Sequence, residues 1–201
     1  LQDILVNPLA DRFPDERGVV QVARIGTSFI QDRRNDPINP RSGSFQTTTF
    51  QIASRAIGSE VNFTSLFNQS SFYRSAPLGG VLASSIRLGW NQPFGETQIL
   101  PITERYFAGG STTLRGFSFD AAQPAGGNLL GIANFEYRVP LSIIPISNLG
   151  GALFYDVGNA FPTFSDLRLA DVTHTAGFGL RYQTPVGPVR VDFGFNLKPR
   201  V

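Results

Sequence analysis

The sequence predicts an all-β fold, an antiparallel transmembrane β-barrel of which about eight strands are present. Charged residues make up 16% of the 201 residues, below the roughly 25% that is usual for soluble globular domains. The chain is rich in Phe and Gly, and no apolar stretch approaches the roughly 18 residues of a membrane-spanning helix. Large apolar residues alternate with small or polar ones over long segments, which is the period-2 pattern of strands with two unlike faces.

Eight segments have this pattern, each bounded by clusters of Gly, Pro, Asn or Ser. They are 19–34, 43–54, 63–76, 80–93, 129–140, 148–161, 174–185 and 187–198, of which the third is the least regular. Most exceed the roughly 5–6 residues of globular strands and match the roughly 9–11 that cross a bilayer at a tilt. Because unpaired backbone groups are costly in lipid, these strands must close on themselves or pair with more chain.

The last segment shows the two faces most clearly. Its apolar residues fall on one side of the strand: Val189, Val191, Phe193, Phe195 and Leu197. Its polar and small residues fall on the other side: Arg190, Asp192, Gly194 and Asn196. A soluble β-sandwich also alternates, but its outer face is usually richer in Lys, Glu and Thr, so the sandwich is the weaker alternative.

The connections differ in length at the two ends of the predicted strands. Segment 95–128 is very long, 55–62 and 162–173 are intermediate, and the turn at 184–188 is short. Outer-membrane barrels keep short turns on the periplasmic side and long loops outside, which makes 95–128 an external loop. A loop longer than about 15 residues is usually functional or disordered.

The long loop carries the sequence RYFAGGSTTLRGF at 105–117. This segment resembles the loop signature of the BamA/TamA superfamily of outer-membrane assembly factors. The charged turn at 32–43 and the hairpin at 177–188 resemble the same superfamily, so the likeness covers most of the chain.

The resemblance implies that the long loop folds back into the barrel lumen. Its tip, formed by Arg115, Gly116 and Phe117, is then expected to pack on the inner wall, with Glu136 and Asp156 as acidic wall partners. A guanidinium in a confined lumen needs carboxylates with planar geometry, and glycine lets the backbone approach the wall closely. Both acidic residues are in phase with the polar face of their strands.

Other interpretations of these residues remain open at this stage. Arg115 could be a solvated loop charge, and Glu136 with Asp156 could form a catalytic acid pair. Glu104 and Asp120 are predicted to be solvated. The single histidine is predicted to lie at a strand end in contact with water, and no nucleophile motif accompanies it. We therefore predict no enzyme, no metal site and no cofactor.

For the whole chain, 1–201, we expect a partial barrel domain with no periplasmic repeat domain. The superfamily's barrels have more strands and a further final strand, so this chain corresponds to the C-terminal half of a barrel. The resemblance implies a location in the bacterial outer membrane and a parent protein that inserts and folds outer-membrane proteins. Its expected partners are the lipid bilayer, unfolded client proteins, and periplasmic repeat domains and accessory proteins of the parent.

Two other functions fit the same residues. The parent could export one polypeptide through the lumen, as pores of two-partner secretion do, or the eight strands could close as a small stand-alone barrel. The net charge of +2 is too small to suggest nucleic acid as a partner.

Overall fold

A computed structural model describes residues 20–141, 148–184 and 187–197. These residues form one antiparallel sheet in which each strand pairs with the next along the chain. The strands are β1 (Arg24–Asp32), β2 (Gly43–Ala53), β3 (Phe63–Ala76), β4 (Gly80–Pro93), β5 (Leu129–Pro140), β6 (Leu149–Phe161), β7 (Thr173–Thr184) and β8 (Gly187–Asn196). The predicted all-β fold and its eight strands are confirmed, with β1 shorter than predicted.

The sheet is open: within the described residues, β1 pairs only with β2 and β8 only with β7. This agrees with the expectation of a portion of a larger barrel. The same residues contain one sheet, so the β-sandwich alternative is wrong. None of the helices in this part of the chain has the length and apolar character needed to cross a membrane.

One side of the sheet, the outer face, is apolar and exposed. Its large side chains on β4 to β8 are 37 to 63% exposed: Leu82, Ile86, Leu88, Trp90, Phe135, Leu153, Tyr155, Phe178, Leu180, Tyr182, Val189, Val191, Phe193 and Phe195. Soluble monomers rarely expose apolar patches larger than a few hundred Å², so this face is built for lipid.

The outer face is less apolar on β2 and β3. Asn68 donates its side-chain amide to Thr48 Oγ1 at 2.8 Å and accepts a hydrogen bond from Ser70 at 3.1 Å. These polar side chains satisfy one another, which lowers the cost of placing them in an apolar environment. They are the reason that the third segment was the least regular in sequence.

The other side, the inner face, is covered by the long loop at 94–128. Loop residues Ala108, Leu114 and Ala122 form a buried cluster with wall residues of β5 and β6: Leu130, Ile132 and Ala160. Near the start of the loop, the Tyr106 ring lies on Gly89, where a Cβ would come within 2.7 Å of the ring. The expected inward-folded loop is therefore confirmed, and hydrophobic burial holds it to the wall.

The charged turn between β1 and β2 is held by its own side chains. Arg34 binds the Asp32 carboxylate at 2.8 and 2.6 Å, and Asn35 Oδ1 accepts the backbone N–H groups of Arg41 and Ser42. Gly43 closes the turn at φ 100°, where an added Cβ would collide with the Arg33 carbonyl.

Candidate functional site at the loop tip

Strand register brings the acidic wall residues close to one another. Glu136 is the cross-strand partner of Phe154, and Asn134 is the partner of Asp156. Because residues two apart on a strand share a face, both carboxylates lie on the inner face within one patch of β5 and β6.

Arg115 reaches this patch from the tip of the loop. Its backbone N–H donates to Asp156 Oδ2 at 3.0 Å, its Nε donates to the same oxygen at 2.9 Å, and its Nη2 donates to Oδ1 at 2.7 Å. Its Nη1 forms a further ion pair with Glu136. The guanidinium lies over the ring of Phe154, 3.7 Å from the ring centroid. Arg115 is therefore buried, and the interpretation as a solvated charge is wrong.

Asp156 is fully buried and has its charge compensated on both oxygens. Oδ1 also accepts a hydrogen bond from Asn134 Nδ2 at 2.9 Å. A buried carboxylate is tolerated only with such partners, because removing a charge from water costs several kcal/mol.

Glu136 is shared by three arginines. Besides Arg115, it accepts from Arg138 Nε at 2.8 Å and from Arg181 Nη2 at 3.2 Å. Arg181 in turn binds Asp192 of β8 at 2.5 Å. We call Arg115, Glu136 and Asp156 the Arg115 cluster; Arg138, Arg181 and Asp192 extend it to β7 and β8.

Gly116 places the loop backbone directly on β8. It has φ 120°, which favours glycine, and an added Cβ would lie 3.1 to 3.2 Å from backbone atoms of Gly194 and Phe195. Phe117, the third tip residue, is partly buried against the apolar cluster that includes Leu114. The three tip residues thus make three different contacts: a charged one, a backbone one and an apolar one.

The backbone carbonyls just before the tip are also held from the wall. Arg190 donates to the Ser111 carbonyl at 2.9 Å, and Arg87 donates to the Thr112 carbonyl at 2.5 Å. Asn134 donates to the Thr113 carbonyl at 2.6 Å. Three wall side chains therefore donate hydrogen bonds to three consecutive loop carbonyls, and these bonds hold the loop in one register on the wall.

The sequence profile of the Omp85 superfamily domain matches residues 7–200. The chain belongs to the Omp85 superfamily. The expected family resemblance is thereby confirmed, and with it the expected transmembrane barrel in the bacterial outer membrane.

Two curated proteins are similar to this Omp85 chain. The outer membrane protein assembly factor BamA of Nitratidesulfovibrio vulgaris is 23% identical over 183 residues, which are 84% of this chain and 22% of that protein. The sorting and assembly machinery component 50 homolog A of Xenopus laevis is 29% identical over 193 residues, 93% of this chain and 40% of that protein. The chain thus spans less than half the length of either relative.

The fold is also similar to a solved structure, the crystal structure of BamA from Haemophilus ducreyi lacking POTRA domains 1-3. The TM-score is 0.74 at 19% sequence identity, and the likeness covers 96% of this chain and 44% of that one. At this identity the likeness concerns the fold.

Sequence reasoning missed several members of the extended cluster in this Omp85 chain. Arg138, Arg181 and Asp192 were visible only as polar residues in phase with the inner face, and Arg87 and Asn134 carried no signal of a loop contact. A search for charged residues on all inward positions would have found the arginines and Asp192, but not their partners, because pairing depends on cross-strand register.

Glu104 was wrongly predicted to be solvated. Arg24 of β1 donates to Glu104 Oε1 at 2.8 Å, and the Glu104 side chain is only 11% exposed. The inward course of the loop brings this carboxylate against β1. Asp120 is also partly buried. His174 lies at the start of β7 as expected, and its Nδ1 shares a hydrogen bond of 2.6 Å with the Tyr155 hydroxyl, which was not expected.

The arrangement fixes the loop tip to the wall through charged contacts. Both carboxylates of the Arg115 cluster are occupied by guanidinium groups, which leaves neither of them placed as a general base. A buried ion pair adds little net stability compared with apolar side chains of similar volume at the same positions. Removing only one partner, however, lowers the free energy of unfolding by about 3–5 kcal/mol. Such a cluster specifies one loop position strongly.

Proposed function

We propose that this chain is the barrel part of a factor that inserts and folds outer-membrane proteins without covalent chemistry. One observation carries the proposal: the two relatives that cover 84% and 93% of the chain are both named for assembly. The proposed partners are the lipid bilayer and unfolded outer-membrane proteins. The parent protein would also contain periplasmic repeat domains and bind accessory proteins.

In this proposal the barrel acts as a template. A strand edge offers a row of backbone donors and acceptors to an incoming chain, which is how β-strand addition gains affinity. The Arg115 cluster and the Gly116 contact then serve to keep the wall formed by β5, β6 and β8 in one shape while other parts of the barrel engage a client.

The test uses the full-length protein in liposomes and an unfolded outer-membrane client diluted from denaturant. The folded fraction of the client is followed by its heat-modifiable migration on gels. We expect faster client folding than in protein-free liposomes, and slower folding with the Arg115→Ala protein than with the unaltered one. An exposed loop arginine changed in the same way, Arg55→Ala, is the matched control.

Client folding at the protein-free rate would contradict the proposal. Delivery of a single polypeptide into the liposome interior, without faster membrane insertion, would assign the chain to an export pore instead. If the protein shows neither activity, the stand-alone structural barrel is the interpretation that remains.

A further inference from the structure

A basic cavity lies where the inner face meets the short turns. It has a volume of about 790 Å³, within the roughly 300–1,000 Å³ of ligand pockets. Five arginines line it: Arg34, Arg41, Arg138, Arg181 and Arg190. Glu136 is the one carboxylate among the described lining residues.

Positive charge in this cavity exceeds the negative charge available to it. Asp32 forms an ion pair with Arg34, and Asp192 forms one with Arg181. Glu136 is shared between Arg138, Arg181 and Arg115, which comes from the loop. Asp36, in the same turn as Arg34, adds a further negative charge near it. Four carboxylates thus face five lining arginines, and one of the four is also used by the loop tip.

Two of the lining arginines donate to backbone carbonyls and form no close ion pair with a carboxylate in the part of the chain that the structure describes. Arg41 donates to the Gly79 carbonyl at 2.7 Å, and Arg190 donates to the Ser111 carbonyl and lies 3.9 Å from Asp192. Both side chains are exposed. A cleft lined by one sign of charge with low-dielectric walls concentrates ligands of the opposite sign.

We infer that this cavity binds an acidic segment of a polypeptide. The arginines come from the turn at 33–42 and from β5, β7 and β8, so an extended chain with several carboxylates can meet more of them than one compact anion can. Guanidinium groups match carboxylates with two parallel hydrogen bonds. Apolar lining residues, among them Ile38, Val81 and Leu149, provide contacts for the rest of a peptide. This inference does not depend on the proposed assembly activity.

The test measures binding of a short fluorescent peptide rich in Asp and Glu to the full-length protein in lipid nanodiscs. A peptide with Asn and Gln at the same positions is the control. We expect the acidic peptide to bind more tightly, and added salt to weaken it because exposed charges are screened.

Variants then locate the site. Arg41→Gln should weaken acidic-peptide binding about two- to fivefold, as expected for one exposed ion pair, and Arg41→Gln with Arg190→Gln should weaken it further. Arg41→Lys keeps the charge and should bind nearly as well as the unaltered protein. Arg55→Gln, which removes the same charge near the opposite end of the strands, should leave binding unchanged. Heat-modifiable migration checks that each variant is folded.

Equal binding of the acidic and neutral peptides would overturn the inference. So would an Arg55→Gln effect as large as that of Arg41→Gln, because binding would then follow overall charge. Tight binding of inorganic phosphate that displaces the peptide, or loss of peptide binding only in nanodiscs with anionic lipid, would assign the cavity to a phosphate group and also overturn it.

Discussion

Gly194 of β8 lies directly against Arg115 of the long loop: a Cβ on Gly194 would come within 2.5 Å of the Arg115 carbonyl carbon and oxygen. Gly116 mirrors this contact from the loop side, because a Cβ added to it would lie 3.1 Å from the Phe195 carbonyl carbon. No side chain separates the two backbones here, so the position of the loop tip and the position of β8 depend on each other.

Gly194→Ala should therefore displace the loop tip. The added methyl would meet backbone rather than a flexible side chain, and overpacking of this kind costs about 1–3 kcal/mol. Limited proteolysis of the folded protein should show faster cleavage within 105–117. Gly131→Ala is the matched control, because a Cβ at Gly131 has nothing within 4 Å. Equal protection of both variants would show that the close approach does not hold the tip.

Arg115→Ala should release the loop without abolishing the barrel. The change removes the guanidinium that compensates fully buried Asp156, and breaking a buried pair costs about 3–5 kcal/mol. The strands keep their backbone pairing, so circular dichroism should retain its β signal while protease sensitivity of the loop rises. A digestion pattern identical to that of the unaltered protein would count against the pairing.

Substitutions of the two acidic wall residues, Asp156 and Glu136, should differ in how strongly they are coupled to Arg115. Asp156 accepts three hydrogen bonds from Arg115, whereas Glu136 forms one ion pair with it and has Arg138 and Arg181 as further partners. In double-mutant cycles, the coupling energy with Arg115→Ala should be larger for Asp156→Asn than for Glu136→Gln. The reverse order would mean that Glu136 is the main anchor of the loop.

The turn at 33–42 should weaken in acid. Backbone N–H groups of Asn39 and Ile38 donate to the Asp36 carboxylate and hold the pKa of Asp36 below its ordinary value of 3.8. A lowered folded-state pKa means that this stabilisation is present above pH 3.8 and is lost as the pH falls through the folded-state pKa. Carbon NMR of labelled Asp36 should show titration below 3.8. Titration at or above that value would contradict the turn hydrogen bonds. Asp36→Asn should reduce the pH dependence of cleavage in the turn and leave the part that comes from Asp32, whose pKa the hydrogen bond with Arg34 lowers to about 2.

The strands could be predicted from the sequence because they depend on the local alternation of apolar with polar or small residues. In β8, Val191 and Phe193 point one way and Asp192 and Gly194 the other, whatever the rest of the chain does. The acidic partners Glu136 and Asp156 could be named because the resemblance supplied candidates and their phase placed them on the polar face.

The sequence by itself determined the fold class, the two faces of each strand, and the loop motif with Arg115. Only the tertiary structure decided which inward charges meet, because the register across β5 to β8 and the inward path of the loop set the partners of Arg115, Arg181 and Glu104. Alternation of apolar and polar residues is a property of neighbours along the chain. The ion pairs of Arg115 and of Arg24 join residues far apart in sequence, and no local pattern encodes such a contact.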